Sequence, residues 1–200
     1  MSPLGRLLRN RRAGETHLAW NLPNLQGPEV LTLTSRNFDG GGAIPLQHCA
    51  KHIGGDDVSP HLAWALLPPG TAQLLLVVED TDVPLGKPAV HCLALIDPVA
   101  EAAADAGNGA GHVELGALAA KQPGPGVRVL RSTIGRGYHG PAPIKGHGPH
   151  HYIFQLFALE SPLGSSPDAT PPDRARPRAL LSAVSSPVLG RGRLTGVFER

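Results

Sequence analysis

The chain has 200 residues, of which 41% are hydrophobic and 17% charged, and its formal net charge is +2. This balance argues against a disordered chain and gives no reason to expect a dedicated nucleic-acid-binding protein. The length suits one domain with a substantial core. Glycine (25 residues) and proline (21 residues) are abundant, which predicts many turns and few long helices.

Residues 1–29 are predicted to form a helical extension ahead of a single domain at residues 30–200. Within the extension, residues 4–13 place Leu4, Leu7 and Leu8 on one helical face. So short a helix is unstable alone, so it must pack on the domain or on a second subunit. The extension lacks an apolar stretch of signal-peptide length, and no segment approaches the ~18 apolar residues of a membrane span, so we expect a cytoplasmic protein with no transmembrane segment.

Seven segments carry the alternating or continuously apolar pattern of β-strands. They are residues 30–35, 62–66, 73–78, 90–96, 127–131, 151–159 and 193–198. The run at 74–78 is apolar throughout, so both of its faces should be buried. In the segment 151–159, alternation predicts two faces, one with Tyr152, Phe154, Leu156 and Ala158 and the other with Ile153, Gln155, Phe157 and Leu159.

The remaining segments complete the predicted architecture. Residues 101–126 are rich in alanine and glycine and are expected to be a long surface excursion. One late helix is predicted to start near Pro177, capped by Asp173, with apolar residues recurring up to Val188. Many strands, few helices and proline-rich loops predict a mainly β fold, a sandwich of antiparallel-dominated sheets with short peripheral helices.

An acidic cluster, EDTDVP at 79–84, follows the apolar strand directly. Three carboxylates in four positions are costly to bury together, so they must face solvent, a cation or hydrogen-bond donors. An acidic turn in which Asp80 or Asp82 caps backbone amides is one interpretation. A ligand site is the other.

His91 lies in an otherwise apolar strand and therefore needs a partner. It either bonds a backbone carbonyl in the core or pairs with one of the preceding aspartates across a hairpin. Cys92 is its neighbour, but strand neighbours point to opposite faces, so we expect no Cys–His nucleophile. Cys49 and Cys92 are expected to be reduced thiols, with a single disulfide as the alternative.

A third cluster, GYHGPAPIKGHGPHHY at 137–152, contains four histidines, two tyrosines and three prolines. Its spacing fits no HExxH or similar ligand pattern, and we predict neither a metal nor a cofactor. Glycine and proline fix a loop shape that can turn N–H groups toward an anion, and histidine and tyrosine add donors. The chain contains no GxSxG elbow, P-loop or dinucleotide-binding glycine motif.

Together the clusters resemble the motifs of the phosphatidylethanolamine-binding protein family, also called the Raf-kinase-inhibitor-like family, and look closest to its bacterial branch. The resemblance covers roughly residues 30–198. It rests on SPHLAW at 59–64, DTDVP at 80–84 followed by His91-Cys92, and the cluster at 137–152. The chain departs from the family pattern at Thr81, Cys92, Ile144 and His151, which should change the shape and rim charge of the pocket.

The resemblance implies a β-sandwich with a small pocket for phosphate-like or carboxylate-like anions. We expect His91, His150 and Tyr152 to donate hydrogen bonds to the anion. Asp80 would orient a histidine or accept from a ligand amine or hydroxyl. The full set of predicted ligand-binding residues is Asp80, Asp82, Pro84, His91, Ala142, Pro143, Ile144, His150 and Tyr152.

The favoured function is therefore a binding protein for a small anionic ligand or a phospholipid head group, with a regulatory role of the kinase- or protease-inhibitor kind. The family's bacterial branch also suggests a homodimer, formed through the N-terminal extension. One alternative is a hydrolase or lyase that uses His91 with Asp80 as a base. Another is a protein-interaction module whose pocket is vestigial.

Overall fold

The computed structural model describes residues 3–98, 110–165 and 171–200. These residues form two antiparallel sheets, and the prediction of a mainly β fold with few short helices is confirmed. The two α-helices are α1 (Pro3–Leu8) and α2 (Pro177–Ser182). The strands are β1 (Thr32–Thr34), β2 (Leu62–Ala65), β3 (Gln73–Asp80), β4 (Ala89–Ile96), β5 (Gly111–Val113), β6 (Val127–Val129), β7 (His150–Leu159) and β8 (Val188–Phe198).

The larger sheet has the order β6-β4-β3-β7-β8, and the smaller has the order β1-β2-β5. Strand β3 is central and buried on both faces, as its apolar run predicts. One face of the large sheet packs with residues of the small sheet in a single core, to which Tyr152 and Phe154 of β7 contribute. Ile153 and Phe157 lie in a second core on the opposite face, so the predicted alternation is present.

The second core is closed by the N-terminal segment and by α2. Leu18, Trp20 and Leu25 pack there together with Leu181 of α2. The guanidinium of Arg191 lies 4.0 Å from the centroid of the Trp20 ring, a cation–π contact that fixes the segment to β8. Part of the predicted extension is therefore a layer of the folded protein.

Several boundaries differ from the predicted ones. Strand β8 begins at Val188, a residue that the sequence pattern placed in the late helix, and α2 ends at Ser182. Asp173 does not cap α2, because its carboxylate pairs instead with Arg128 and Arg136. The late segment follows the sheet because pairing with β7 satisfies its backbone groups along its whole length.

The N-terminal half and the predicted excursion also differ in detail. Helix α1 stops at Leu8 instead of continuing to residue 13. Residues 111–113, inside the predicted excursion, form β5 and pair with β2. The part of the excursion at 101–109 lies outside the described residues.

A β-bulge decides where His91 points. Val78 pairs with Cys92 and Glu79 pairs with Val90, so His91 is the extra residue between the two pairs. Val90 and Leu93 lie in the second core and Cys92 in the first, while the His91 ring contacts Tyr152 of the first core. Strict alternation thus fails here, because a bulge inserts a residue and re-aims its side chain.

Candidate functional site

A cavity of about 600 Å³ lies where β3 ends, β4 bulges and β7 begins. Asp80 ends β3 and sits opposite Ala89 on one side and Tyr152 on the other. The antiparallel ladder therefore brings side chains distant in sequence to one end of the sheet. Of the residues predicted for the site, those that line this cavity are Asp80, Pro84, His91, Ala142, Pro143, Ile144, His150 and Tyr152.

His91 is held by a backbone carbonyl, one of the two partners considered from the sequence. Its Nδ1 lies 2.7 Å from the carbonyl oxygen of His139, and its ring meets the Tyr152 ring edge-on at a centroid distance of 5.2 Å. Burial lowers the pKa of His91, and the nearby Asp80 carboxylate opposes that shift. The neutral imidazole is therefore favoured.

Asp80 pairs with His150, not with His91. One carboxylate oxygen, Oδ2, lies 2.8 Å from Nδ1 of His150, and the other, Oδ1, accepts from the Asp82 amide at 2.8 Å. Nε2 of His150 lies 2.7 Å from Nδ1 of His147. Nε2 of His147 lies 2.8 Å from the carbonyl oxygen of Leu8. These contacts form a buried hydrogen-bonded chain from the cavity to the N-terminal segment.

The chain from Asp80 to Leu8 must hold an extra proton. A carbonyl oxygen only accepts, so Nε2 of His147 carries a proton. The His147–His150 contact and the His150–Asp80 contact each need one further proton, which makes three in all. Two neutral imidazoles carry only two protons in total. The third proton makes an imidazolium–carboxylate pair, or its equivalent with the proton on the carboxyl. Both ring nitrogens of His150 are then engaged, so His150 fixes Asp80 and is not placed to donate to a ligand.

Asp82 does not line the cavity. Its Oδ2 accepts from the backbone amide of His151 at 2.7 Å and from Nδ1 of that ring at 2.8 Å, and its Oδ1 pairs with Arg12. Burial alone would raise the pKa of Asp82, but the hydrogen bonds from His151 and Arg12 outweigh it and lower the pKa. The third carboxylate, Glu79, faces the second core and pairs with Arg178 at 2.6 Å. Each carboxylate of the acidic cluster thus meets donors.

The N-terminal segment forms part of the shell around the cavity. The amides of Ala13 and Gly14 donate to the carbonyls of Val83 and Thr81, both at 2.9 Å. A Cβ on Gly5 would lie 2.2 Å from the carbonyl oxygen of Lys145, so only glycine lets α1 approach the loop before β7 this closely. The segment therefore braces both loops that flank the cavity.

Tyr152 brings an unpaired donor to the cavity. Its side chain is buried, and its hydroxyl has no hydrogen-bond partner among the described residues. Burial raises the pKa of the phenol, and the Asp80 carboxylate raises it further through its charge and through an approach to the hydroxyl that falls short of hydrogen-bond geometry. The phenol therefore stays protonated at neutral pH. The proton is available to a ligand oxygen.

Other lining residues carried no sequence signal for a site. Lys51, His52 and Asp57 come from a segment well before the acidic cluster. Leu85 and Ile134 are 57% and 56% exposed at the cavity. Only the fold brings these segments to the mouth of the cavity, whereas His139, also in the lining, belongs to the histidine-rich motif that the sequence highlighted.

Two further properties concern metals and membranes. The described residues contain no cluster of three or more histidine, cysteine or acidic side chains arranged to hold a metal ion. None of the helices in that part of the chain is long and apolar enough to span a bilayer.

Both cysteines are free and buried, and burial raises the pKa of each thiol to about 12.

Comparison with known proteins decides the family. A family model described as phosphatidylethanolamine-binding protein matches residues 34–199. The chain belongs to the phosphatidylethanolamine-binding protein family. The resemblance drawn from the motifs at 59–64, 80–92 and 137–152 is thereby confirmed.

Bacterial relatives cover most of the chain. A Mycobacterium tuberculosis protein named "Putative lipoprotein LppC" is 36% identical over 171 residues, which are 86% of this chain and 73% of LppC. The UPF0098 protein YbhB of Escherichia coli is 33% identical over 133 residues, 65% of this chain and 78% of YbhB. These relatives agree with the bacterial character of the motifs.

Solved structures of family members share the fold. YbcL of Escherichia coli, described as a member of the mammalian phosphatidylethanolamine-binding protein family, superposes with a TM-score of 0.68 at 24% identity and covers 86% of this chain and 99% of YbcL. CT736 of Chlamydia trachomatis, described as a homolog from the same family, gives a TM-score of 0.65 at 25% identity with the same coverage. The antiparallel β architecture is therefore that of the family.

Proposed function

We propose that this protein binds a small anionic group in the cavity between the ends of β3, β4 and β7, such as the phosphate of an organic ligand or of a phospholipid head group. The observation that carries the proposal is the buried Tyr152 hydroxyl, which has no hydrogen-bond partner among the described residues. Leaving a buried hydroxyl unpaired costs about 1–3 kcal/mol. A ligand oxygen at this position would remove that cost.

Charge at the rim supports an anionic ligand. Lys51 lines the cavity and is exposed at its mouth. Because low-dielectric walls focus the field of such a charge, a rim cation raises the local concentration of anions. Membership of the phosphatidylethanolamine-binding protein family supports the same class of ligand.

The hydrogen bonds favour binding over catalysis. The hydrolase alternative pairs His91 with Asp80, but Nδ1 of His91 bonds the His139 carbonyl and Asp80 bonds His150. The His91–Asp80 pair of that alternative therefore does not form, and the free nitrogen of His91 is oriented by a backbone carbonyl and not by a carboxylate. His150 has that carboxylate, yet its second nitrogen is engaged by His147.

The proposal extends to a regulatory role and a cytoplasmic location. Regulation of the kinase- or protease-inhibitor kind is supported by family membership alone. A pull-down that recovers one defined protein with the wild type, and loses it when the pocket is altered, would support it. The location is checked by cell fractionation, since one relative carries the name of a lipoprotein, and recovery in the membrane fraction would contradict it.

The test of the pocket is a calorimetric titration with phosphate, acetate and phosphoethanolamine at pH 7, using the wild type and Tyr152→Phe. This substitution removes only the hydroxyl. We expect saturable binding of at least one anion by the wild type and about a tenfold loss in the variant, because one ligand hydrogen bond disappears. Stability should hold or rise, since the unpaired hydroxyl is gone. The variant His150→Ala is less informative because it also leaves Asp80 and His147 without a partner.

Tyr138→Phe is the matched control. The Tyr138 hydroxyl is also buried, but it donates to the His48 carbonyl at 3.0 Å, and Tyr138 is not among the cavity-lining residues. This variant should lose stability and keep its affinity for anions. If no anion binds, or if both variants bind equally well, the pocket assignment is wrong and the interaction-module alternative is favoured.

A further inference from the structure

The hydrogen bond from His91 to the His139 backbone determines which groups the cavity offers to a ligand. Because a carbonyl oxygen only accepts, Nδ1 of His91 must carry the proton of a neutral ring. Nε2 then presents a lone pair and has no partner among the described residues. Next to it, the Tyr152 hydroxyl is free to donate. His91 and Tyr152 therefore offer the cavity one acceptor and one donor, and Nε2 of His139, in the same lining, is also buried without a partner among the described residues.

The surroundings of His91 keep its second nitrogen unprotonated. Burial is the largest influence and lowers the pKa, and the charges of His139 and His150 act in the same direction. Asp80 on β3 and the His139 carbonyl oppose the shift. Asp80 is already paired with His150, which weakens its pull on a proton at His91.

The charges of the lining do not suit a dianion. Lys51 is the lone lysine or arginine among the lining residues, and Asp57 and Asp80 contribute two carboxylates. The extra proton of the His150–His147 chain offsets one of them. With the other lining histidines, His52 and His139, counted as neutral, the lining is thus close to neutral before a ligand enters, and a second negative charge on a ligand would meet no lysine or arginine beyond Lys51.

We propose that the bound anionic group brings its own proton, so that the cavity selects the monoanion of a phosphate monoester over a phosphodiester. This inference rests on the proposed function and specifies its ligand. The P–OH group of the monoanion donates to Nε2 of His91, and an unprotonated phosphate oxygen accepts from the Tyr152 hydroxyl. A phosphodiester has no P–OH, so its oxygens would face the His91 lone pair.

Phosphate suits this pattern better than a carboxylate does. A phosphate monoester has a second pKa of about 6 and keeps a proton near neutral pH at little cost, whereas carboxylic acids, with pKa values of about 4, have lost theirs. A cavity of about 600 Å³ has room for more than a phosphate group. Leu85 and Ile134 line it and are more than half exposed, so the organic part of the ester is apolar on the side that meets them.

The test compares phenyl phosphate with methyl phenyl phosphate by calorimetry at pH 5. Both probes then carry close to one negative charge, because a monoester of pKa about 6 is roughly nine-tenths monoanion at this pH. They differ in one group, which is P–OH in the monoester and P–OCH₃ in the diester. We expect the wild type to bind the monoester at least about tenfold more tightly. Titrations in buffers of different ionisation enthalpy should show near-zero proton uptake for the monoester and close to one proton for any diester that binds.

The variant His91→Gln separates hydrogen bonding from steric fit. Its carboxamide can turn an N–H toward a diester oxygen, so the preference for the monoester should fall several-fold, and thermal unfolding checks that the variant is folded. Equal affinity of the two probes for the wild type, with loss of both in Tyr152→Phe, would overturn the proton argument and leave the anion pocket standing. If His91→Gln keeps the full preference for the monoester, the preference comes from the extra methyl group of the diester, and the inference is overturned. Binding of neither probe would overturn the inference and the proposed function together. If His91→Gln does not fold, proton uptake by the wild type still tests whether the ligand brings its own proton.

Discussion

His147 and His150 stand three residues apart and share a hydrogen bond of 2.7 Å, from Nδ1 of the first ring to Nε2 of the second. The far nitrogen of His147 reaches the carbonyls of Leu8 and Arg11, and the far nitrogen of His150 reaches Asp80. One buried chain of contacts thus joins the N-terminal segment to the floor of the cavity. The position of Asp80 depends on residues at the other end of the sequence.

Removing His147 should destabilise the protein. In His147→Ala, the carbonyls of Leu8 and Arg11 and the Nε2 of His150 all lose a buried partner, so we expect the free energy of unfolding to fall by about 2 kcal/mol or more. Urea denaturation at pH 7 measures this. His52→Ala is the control, because His52 is exposed and its loss should change stability by less than about 0.5 kcal/mol. Equal effects of the two substitutions would mean that the chain contributes nothing.

The Arg12–Asp82 pair should make stability depend on pH in the acid range. The pKa of Asp82 is lowered from its ordinary value of 3.8, so its contribution is complete above that value and disappears as pH falls through the lowered one. Arg12→Met should lower the free energy of unfolding by about 1 kcal/mol at pH 7. The effect is modest because the pair is partly exposed. The difference from wild type should shrink as Asp82 protonates, down to the part contributed by the hydrogen bond from Arg12 to the Pro149 carbonyl at 2.8 Å. Arg9→Met, at an exposed arginine, is the control, and a gap that does not narrow anywhere between pH 7 and the acid-unfolding range would contradict the assignment.

Gly140 should not tolerate a side chain. A Cβ at this position would lie 2.3 Å from the His48 carbonyl oxygen, and the Gly140 amide donates to Asp57 at 2.6 Å. Gly140→Ala should therefore move the loop that lines the cavity, lowering the unfolding temperature and weakening anion binding. A Cβ on Gly86 meets nothing within 4 Å, so Gly86→Ala serves as the matched substitution. Indistinguishable melting curves for the two variants would refute the packing argument.

Neither cysteine should react in the folded protein. Cys49 and Cys92 are buried, and burial raises the pKa of both thiols to about 12, so the nucleophilic thiolate is scarce. With Ellman's reagent at pH 8, native protein should release almost no chromophore, and urea-unfolded protein should release two equivalents. Rapid reaction of one thiol before unfolding would show that a cysteine is accessible. One equivalent or none after unfolding would point to oxidation.

Helix α1 remains our predicted homodimer contact. Leu4 and Leu7 are 54% and 79% exposed, while Gly5 on the same helix packs against the loop at Lys145. Leu4→Glu/Leu7→Glu should convert a dimer into a monomer without lowering the unfolding temperature. Light scattering gives the molar mass. A wild-type monomer, or a double variant that still dimerises, would exclude this contact.

Local patterns were enough to identify the motifs and most of the strands, but they missed β5 and the first part of β8. The apolar run at 74–78 and the alternation from Tyr152 to Leu159 specify buried strands because burial acts on each face separately. The secondary structure of the late segment, residues 177–188, was harder to predict from local patterns. Its leucines and valines fit a helix through Val188, but β7 offers a long unpaired edge, and pairing along that edge outweighs local propensity.

The sequence by itself determined the family and the residue types of the pocket, since Asp80, His91, His150 and Tyr152 all lie in recognisable motifs. Only the tertiary structure decided their contacts. The bulge at His91 turns that ring to the cavity, His147 occupies the nitrogen of His150 that we expected to face the ligand, and Asp82 is drawn to Arg12. Hydrogen bonds between segments up to 139 residues apart determine these partners, and contacts at such a separation leave no period or spacing in the sequence.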